Sequence, residues 1–229
     1  MEIPLYLSMT AAEFNQCTEF PKFCAWMACH FSPYGTGLTN MPRHLPKESL
    51  LILNDRTPVH RHEPKQIRQS LEDTINAFGC CAVLLDFQRG DCAETADIIQ
   101  DLLTLPCPVC VSDIYARNLD CPVFLPPIPL TLTPEEYFTP WNGREIWLDV
   151  TTECTVFTVT EEGSHNSLCK PIGDFPFQEA QRHFHYRTEL QSNSVRIYLH
   201  RTKEDLSDLL DHCAAFGVTK GVGLWQELK

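Results

Sequence analysis

Residues 82–89 have the sequence Ala-Val-Leu-Leu-Asp-Phe-Gln-Arg, in which four apolar residues run into a carboxylate, an aromatic ring and an amide. An uninterrupted apolar run of this length is typical of a parallel strand that is buried on both faces. The polar residues then mark the carboxyl end of the strand, and Gly90-Asp91 provides a turn after it. The segment is the fourth of eight that share this pattern, so the architecture follows from how the eight are spaced.

The eight apolar segments are separated by spacers that are mostly long enough for helices. Besides 82–89, they are residues 5–9, 23–31, 49–56, 108–115, 122–125, 144–150 and 221–227. Helix signals lie between them, since Thr10, Thr133 and Thr202 each stand at an N-cap position. Pro64 begins a further helix, and Gly79 ends it. Strands that alternate with helices form a parallel sheet, and eight such strands close a barrel.

The pattern changes after the seventh strand, where short segments alternate apolar and polar residues. These segments are 154–160, 183–190 and 194–200. Alternation of period two predicts antiparallel strands with one exposed face. The sequence therefore predicts an α/β fold, a (β/α)8 TIM-like barrel in one domain of residues 1–229. It also predicts a small antiparallel β insertion at about 151–200, after strand seven, and no final helix.

The charge of the chain excludes several classes of partner. Its 229 residues carry 18 Lys and Arg against 30 Asp and Glu, a net charge of −12. No basic run breaks this balance, so the sequence predicts neither a nucleic-acid partner nor an anionic membrane partner. No stretch approaches the roughly 20 apolar residues of a membrane span. An acid at Glu2 and a short apolar run do not fit a signal peptide, so we expect a cytoplasmic protein. The sequence indicates no oligomeric state.

Motifs for metals and cofactors are weak or missing from the sequence. The twelve cysteines lie mostly in apolar patterns, as small buried side chains do. Cys107 and Cys110 form a CxxC pair, but no second pair stands at zinc spacing. The histidine pairs at 60–62 and 183–185 lack a partner carboxylate at a known spacing, and 183–185 is predicted to be an exposed strand face. Without a P-loop, GxGxxG or serine nucleophile elbow, we expect no cofactor and no metal.

The polar residues at the strand ends form the candidate site. They are Asp55, Arg56, Asp86, Gln88, Asp113, Tyr115, Asp149, Trp225, Gln226 and Glu227. Closure of the barrel brings the carboxyl ends of all strands to one rim. Carboxylates and amides bond hydroxyl groups, and flat rings pack on the apolar faces of sugars, so this rim suits a carbohydrate or small polar ligand. Tyr34, in a turn-rich loop after strand two, is a further candidate. The alternative for any single Asp is a cap on the helix or turn that follows.

Residues 81–88 are similar to the fourth strand of the chitinase-like, family 18 glycoside hydrolases. The DxxDxDxE pattern of that family falls on Cys81, Leu84, Asp86 and Gln88. An insertion after strand seven and Trp225 near the end of strand eight add to the resemblance. It implies a glycoside hydrolase-type barrel in which Asp86 orients the substrate's acetamido group. Gln88 stands in place of the acid that protonates the leaving oxygen, and an amide has no titratable proton to give.

The chain departs from the family at two further places. Phe-Leu-Pro-Pro at 124–127 stands where the family has a tyrosine on strand six. Asn-Asp-Arg at 54–56 replaces a glycine pair after strand three. The resemblance therefore covers the barrel in outline and the motif of strand four in part.

Two main hypotheses about function follow. In the first, a catalytically degenerate barrel binds a carbohydrate or small polar ligand at the rim, and Gln88 keeps the shape and hydrogen bonding of the acid. The binding residues would be Tyr34, Asp55, Arg56, Asp113, Tyr115, Asp149 and Trp225. In the second, an active glycoside hydrolase pairs Asp86 with Glu227 or Asp113 as acid and base. A phosphate-binding barrel is a third alternative, with thin support because the glycines of Gly221-Val222-Gly223 precede strand eight.

Overall fold

The computed structural model describes residues 3–34, 37–57, 63–90 and 93–229, without the side chain of residue 93. The histidine pair at 60–62 and the acid at position 2 lie outside the described residues. Among the described residues, no helix has both the length and the apolar character that a membrane span requires.

The strands of the described residues form two sheets. They are β1 (Leu5–Met9), β2 (Cys24–Phe31), β3 (Leu38–Thr39), β4 (Leu50–Asn54), β5 (Ala82–Asp86), β6 (Val109–Ser112), β7 (Val123–Leu125), β8 (Ile146–Val150), β9 (Cys154–Thr160), β10 (Gly163–Cys169), β11 (Phe177–Glu179), β12 (Phe184–Gln191), β13 (Ser194–His200) and β14 (Val218–Leu224).

The first sheet is a closed barrel of parallel strands. Within the described ranges, eight strands follow one another in the order β1, β2, β4, β5, β6, β7, β8 and β14, and β14 pairs back onto β1. Leu5 lies opposite Gly221 in the pairing that closes the ring. The short β3 adds an antiparallel edge to β2. The predicted TIM-like α/β barrel is confirmed, with β5 as its fourth strand.

Helices cover the outside of the barrel. They are α1 (Ala11–Gln16), α2 (Pro64–Phe78), α3 (Ala93–Leu102), α4 (Asp113–Ala116), α5 (Pro134–Phe138), α6 (Lys203–Cys213) and α7 (Trp225–Leu228). The hydroxyls of Thr10, Thr133 and Thr202 each accept a hydrogen bond from the third residue of the helix that follows, as predicted. Gly79 ends α2 with a left-handed φ of 66°.

Strand eight of the barrel begins and ends earlier than the sequence predicts. Strand eight begins at Val218 rather than at residue 221, and residues 225–227 form the single helical turn α7 instead of continuing the strand. Thr219 and Lys220 concealed the start of the strand, because polar residues are unusual in a buried parallel strand. The Lys220 ammonium lies 4.4 Å from the centre of the Trp147 ring and 3.7 Å from Glu145 Oε1, which gives the charge partners inside the strand. No longer helix follows strand eight in the described residues.

The second sheet is the antiparallel insertion between β8 and α6. Its strand order is β10-β9-β13-β12-β11, so it contains two strands, β10 and β11, that the sequence did not predict. The sequence of β10, Gly-Ser-His-Asn-Ser-Leu-Cys, is mostly polar and exposed, so it carries no apolar alternation. The predicted exposed face at 183–185 is wrong. His183 Nε2 lies 3.0 Å from His212 Nδ1, and His185 Nδ1 lies 2.8 Å from Asp205 Oδ2, because both histidines pack on α6.

Two apolar clusters separate the inside of the barrel from its outside. The interior cluster is Tyr6, Ala25, Leu50, Ile52, Ala82, Leu84, Cys110, Phe124, Trp147 and Val222. The larger cluster lies between the strands and the helices, and includes Ile67 and Leu71 of α2 with Leu206 and Leu209 of α6. Burial of both faces explains the unbroken apolar runs in the sequence. The interior cluster also forms the floor on which the candidate site stands.

Candidate functional site

A cavity of about 930 Å³ opens at the carboxyl end of the barrel. Its floor is apolar and is formed by Ile52, Leu84, Phe124 and Val222 from four different strands. Polar side chains line the walls above this floor: Ser8, Thr10, His30, Asn40, Asn54, Asp55, Arg56, Asp86, Gln88, Arg89 and Asp149. An apolar base under converging polar groups is the usual form of a small-molecule site.

Strand register sets which side chains reach the cavity. On β4 and β5, residues two apart share a face, so Ile52 leads to Asn54 and Leu84 leads to Asp86. Asn54 lies directly opposite Asp86 in the ladder, and His30 lies opposite Asn54. The pairing of β2 with β4 shifts between Trp26 and Cys29. This irregularity turns His30 toward the cavity, although alternation from the interior residue Ala25 would turn it outward.

Asp86 and Gln88 are joined by a short hydrogen bond at the cavity mouth. The Gln88 carboxamide Nε2 donates to Asp86 Oδ1 over 2.6 Å. Burial raises the pKa of Asp86, the Gln88 bond opposes that rise, and the negative charge of Asp55 adds to it. Gln88 thus occupies one Asp86 oxygen with a neutral donor.

Asp149 is the most strongly perturbed carboxyl of the cavity. Its pKa is raised from 3.8 to about 7, first by burial and then by the negative charge of Asp86, and Glu227 adds to the rise. A backbone hydrogen bond involving Val150 works in the opposite direction. A carboxyl group with this pKa is about half protonated at neutral pH, so it can donate or accept a hydrogen bond there.

Asp55 accepts backbone hydrogen bonds from the segment that follows β5, the fourth strand of the barrel. Its carboxylate is buried and accepts hydrogen bonds from the backbone N–H of Gln88, at 3.1 Å to each oxygen, and of Arg89, at 2.8 Å. These bonds tie the end of β4 to the residues after β5. The carboxylate lines the cavity, and it also fixes the backbone that carries Gln88 and Arg89.

The barrel brings five of the eleven predicted site residues to the cavity wall. These five are Asp55, Arg56, Asp86, Gln88 and Asp149. The other six lie outside the lining: Tyr34, Asp113, Tyr115, Trp225, Gln226 and Glu227. All eleven remain candidates for function, but they occupy two different environments.

The six residues outside the lining have different surroundings, and Gln226 is exposed. Tyr34 is 98% exposed. Tyr115 donates its hydroxyl to the Arg89 carbonyl, and Trp225 packs on the outer apolar cluster. Glu227 accepts a 2.7 Å hydrogen bond from the Thr151 hydroxyl. Asp113 begins α4. Burial raises the pKa of Tyr137, and the negative charge of Asp113 adds to that rise.

Comparison with known proteins identifies the fold. No protein-family model matches the sequence, and no curated protein matches it significantly. The spore cortex-lytic enzyme SleL from Bacillus cereus superposes with a TM-score of 0.59 at 8% identity, over 96% of this chain and 70% of that chain. The fold is that of a chitinase-like glycoside hydrolase barrel.

Two further structures support this. The class V chitinase from Nicotiana tobaccum, solved as a mutant in complex with NAG4, gives a TM-score of 0.60 at 10% identity over 98% of this chain and 94% of that chain. The chitinase-like agglutinin from Robinia pseudoacacia gives a TM-score of 0.56 at 11% identity over 96% and 94%. Identities this low show a shared chitinase-like fold.

Sequence reasoning missed several residues of the cavity in this chitinase-like barrel, among them His30, Asn54 and Arg89. Asn54 had a usable signal, because Leu50 and Ile52 face the barrel interior and alternation points Asn54 the same way. Arg89 directly follows Gln88 and was passed over in favour of the acids. His30 had no signal, since its orientation depends on the shifted pairing of β2.

The described cysteines of the chitinase-like barrel are free thiols. Cys110 lies inside the barrel and Cys107 is half-buried at its amino end. Within the described ranges, no group of three or more His, Cys, Asp or Glu side chains could hold a metal ion.

Proposed function

We propose that this chitinase-like barrel binds a carbohydrate in the cavity at its carboxyl end and does not use the acid of the family. The hydrogen bond from Gln88 to Asp86 carries the proposal. By resemblance, position 88 is that of the acid that protonates the leaving oxygen, and a carboxamide bound to Asp86 has no proton to transfer. The amide preserves the hydrogen-bonding shape of the site.

The cavity has the chemistry that a sugar requires. Its floor of Ile52, Leu84, Phe124 and Val222 offers apolar contact to one face of a ring. Asn54, Gln88 and Asp149 offer both donors and acceptors to hydroxyl groups along the walls. A volume of about 930 Å³ lies at the upper end of ordinary ligand sites and exceeds what one monosaccharide fills. An oligosaccharide is therefore the expected ligand.

The neighbours in fold give independent support. One matching structure is a chitinase in complex with NAG4, and another is a chitinase-like agglutinin. The tobacco chitinase is a mutant in that complex, so a changed residue in a barrel of this fold is compatible with a bound oligosaccharide.

Binding is testable with a panel of neutral and acidic oligosaccharides that includes NAG4. The wild type should bind at least one member by isothermal titration calorimetry. Asp86→Ala should weaken that binding at least about tenfold, since a charged hydrogen-bond acceptor is lost. Asp73→Asn is the control, because Asp73 lies on the exposed face of α2 and bonds Gln69. Failure of every member to bind at millimolar concentration would overturn the proposal.

A second candidate function is glycoside hydrolysis, and the pKa of Asp149 favours it. An acid with a pKa of about 7 is suited to protonate a leaving oxygen near neutral pH. Asp86 lines the same cavity and would accept the proton of the attacking water. This pairing replaces Glu227 and Asp113, which do not line the cavity, as the partner of Asp86.

Hydrolysis is tested by mass spectrometry of the same oligosaccharides after incubation with the protein. The binding proposal expects intact oligosaccharide with the wild type. Hydrolysis by the wild type that Asp149→Asn abolishes and Asp73→Asn leaves unchanged would establish the second function. Equal hydrolysis by the wild type and Asp149→Asn would exclude the Asp149 mechanism.

A further inference from the structure

Two arginines stand together at the mouth of the cavity. Arg56 follows β4, the third strand of the barrel, and Arg89 follows β5, the fourth strand. Both side chains are exposed and line the cavity. Arg89 Nη2 donates to the Arg56 carbonyl oxygen over 2.9 Å, which brings the two residues side by side. A guanidinium group is a cation with five hydrogen-bond donors and no acceptor.

No carboxylate of the described residues forms an ion pair with Arg56 or Arg89. The carboxylate nearest in sequence, Asp55, accepts backbone N–H groups of Gln88 and Arg89. The described ion pairs of arginine involve Arg68 and Arg187. The Arg56 side chain makes no hydrogen bond to a described residue. Two unpaired cations in a chain of net charge −12 form a local site for an anion.

The positive charges of the cavity lie on one side of the barrel. Arg56 and Arg89 follow β4 and β5, and Asp149 lies on β8, which is opposite β4 in the ring. Asp55 and Asp86 also line the wall on the arginine side. An anionic group is attracted to the exposed guanidinium groups and repelled by the carboxylates, so its favoured position is at the arginines of the cavity mouth. Neutral hydroxyl groups would then meet Asn54, Asp86 and Asp149 deeper in the cavity.

We infer that the preferred ligand is an acidic oligosaccharide whose sugar carboxylate binds Arg56 and Arg89. The inference rests on the proposed function and narrows its substrate class. The planar fork of a guanidinium matches the two oxygens of a carboxylate, and charge-assisted bonds of this kind are about twice as strong as neutral ones. A neutral oligosaccharide leaves both arginines without an anionic partner.

The test compares two ligands that have the same sugar rings and differ only at their carboxyl groups. One is a tetrasaccharide that alternates glucuronic acid and N-acetylglucosamine, and the other is its methyl ester, which has the same rings and no carboxylate. Calorimetry with the wild type should show the acid binding at least about tenfold more tightly than the ester. The difference should shrink as salt is added, because the attraction involves exposed charges.

The variants are Arg56→Gln and Arg89→Gln, with Arg68→Gln as the control. Arg68 pairs with Glu72 and lies on α2, so its loss should leave both affinities unchanged. Each of the first two variants should weaken the acid about tenfold and the ester little. Arg56→Gln is the cleaner variant, because Arg89→Gln also removes the bond to the Arg56 carbonyl.

The outcomes separate this inference from the proposed function. If the wild type binds the ester or NAG4 as tightly as the acid, the acidic specificity is overturned and carbohydrate binding stands. The inference is also overturned if both arginine variants bind the acid as the wild type does. If neither the tetrasaccharides nor the wider panel bind, the proposed function fails and the inference fails with it.

Discussion

Asp149 reaches the cavity because Trp147, two residues earlier on β8, points into the barrel interior. Alternation then turns Asp149 the same way, toward the carboxyl end where Asp86 stands. Two carboxyl groups facing a partly desolvated cavity cannot both ionise easily, so one keeps its proton to a higher pH. The raised pKa of Asp149 is therefore a consequence of strand geometry.

We expect carbon-13 NMR titration to give Asp149 a pKa of about 7. Asp86→Asn should lower this pKa only part of the way to 3.8, because burial is the larger cause and the Asp86 charge the smaller one. Between pH 4 and 7 the folded state holds a proton that the unfolded state has lost, so the stability that Asp149 contributes falls as pH rises through this range. A pKa near 4 for Asp149 in the wild type would contradict the prediction.

At the residue scale, the sequence predicted which polar residues stand at the strand ends better than it predicted the direction of each side chain. Asp86, Gln88 and Asp149 line the cavity as expected, since each ends an apolar strand. Trp225 does not, because the chain turns into a helix at that residue. His30 could not be predicted, because one shifted pairing reverses the face it occupies.

At the element scale, Gly217 sets the entry into strand eight. Its φ of +90° lies in the left-handed region, and a Cβ there would come 2.5 Å from the Arg144 carbonyl oxygen. Gly143 has a similar φ of +80°, but a Cβ at that position meets nothing within 4 Å. Alanine substitutions at the two glycines therefore distinguish the cost of backbone strain from the cost of steric overlap.

Gly217→Ala should lower the free energy of unfolding by about 3 kcal/mol or more, since strain and overlap combine. Gly143→Ala should lower it by about 1 kcal/mol, from backbone strain alone. Urea denaturation followed by circular dichroism measures both. Equal losses for the two variants would show that the overlap with Arg144 relaxes without cost.

The hairpin of β9 and β10 places Cys154 directly opposite Cys169. Cross-strand neighbours have the Cα separation that a disulfide needs. Burial and contact with Cys169 raise the pKa of the Cys154 thiol to about 12, so Cys154 reacts slowly as a nucleophile. Oxidised glutathione at pH 8.5 should therefore attach first at the half-buried Cys169.

Exchange with Cys154 should then close a loop of about 15 residues and raise the free energy of unfolding by up to about 3 kcal/mol. Peptide mapping by mass spectrometry should find the 154–169 crosslink in the wild type and lose it in Cys169→Ser. Glutathione that stays on Cys169 without a crosslink would contradict this.

For the whole molecule, the apolar runs were enough to predict the barrel, because a parallel strand that is buried on both faces consists almost entirely of apolar residues. They were not enough for the insertion, where β10 is mostly polar and exposed and is held by its hairpin partner. Arg201 joins the insertion to the barrel. Its buried guanidinium donates to the carbonyls of Ile128, Arg182 and His183, which no pattern of the sequence indicates.

We expect the attachment of the insertion to the barrel to be sensitive to pH, because buried histidines lie in it. Burial is the largest cause that lowers the pKa of His183 and of His200 below 6.5. Neighbouring positive charge, from His212 and Arg201, adds to the effect at His183. A group whose folded pKa is depressed in this way resists protonation in the folded state, so the stability it contributes is lost as pH falls below 6.5. The pairing of Asp205 with His185 persists there, since the pKa of Asp205 is lowered.

We therefore expect hydrogen exchange, corrected for its intrinsic pH dependence, to show β12 and β13 losing protection several-fold between pH 7 and pH 5. Barrel strands β5 and β6 contain no histidine and should keep their protection over the same range. His183→Gln should reduce the loss in β12, because a neutral amide replaces the group that would be protonated beside His212. Equal loss of protection in the barrel and the insertion would mean that the molecule opens as one unit. Unchanged protection in both would mean that protonation of these histidines does not destabilise the fold.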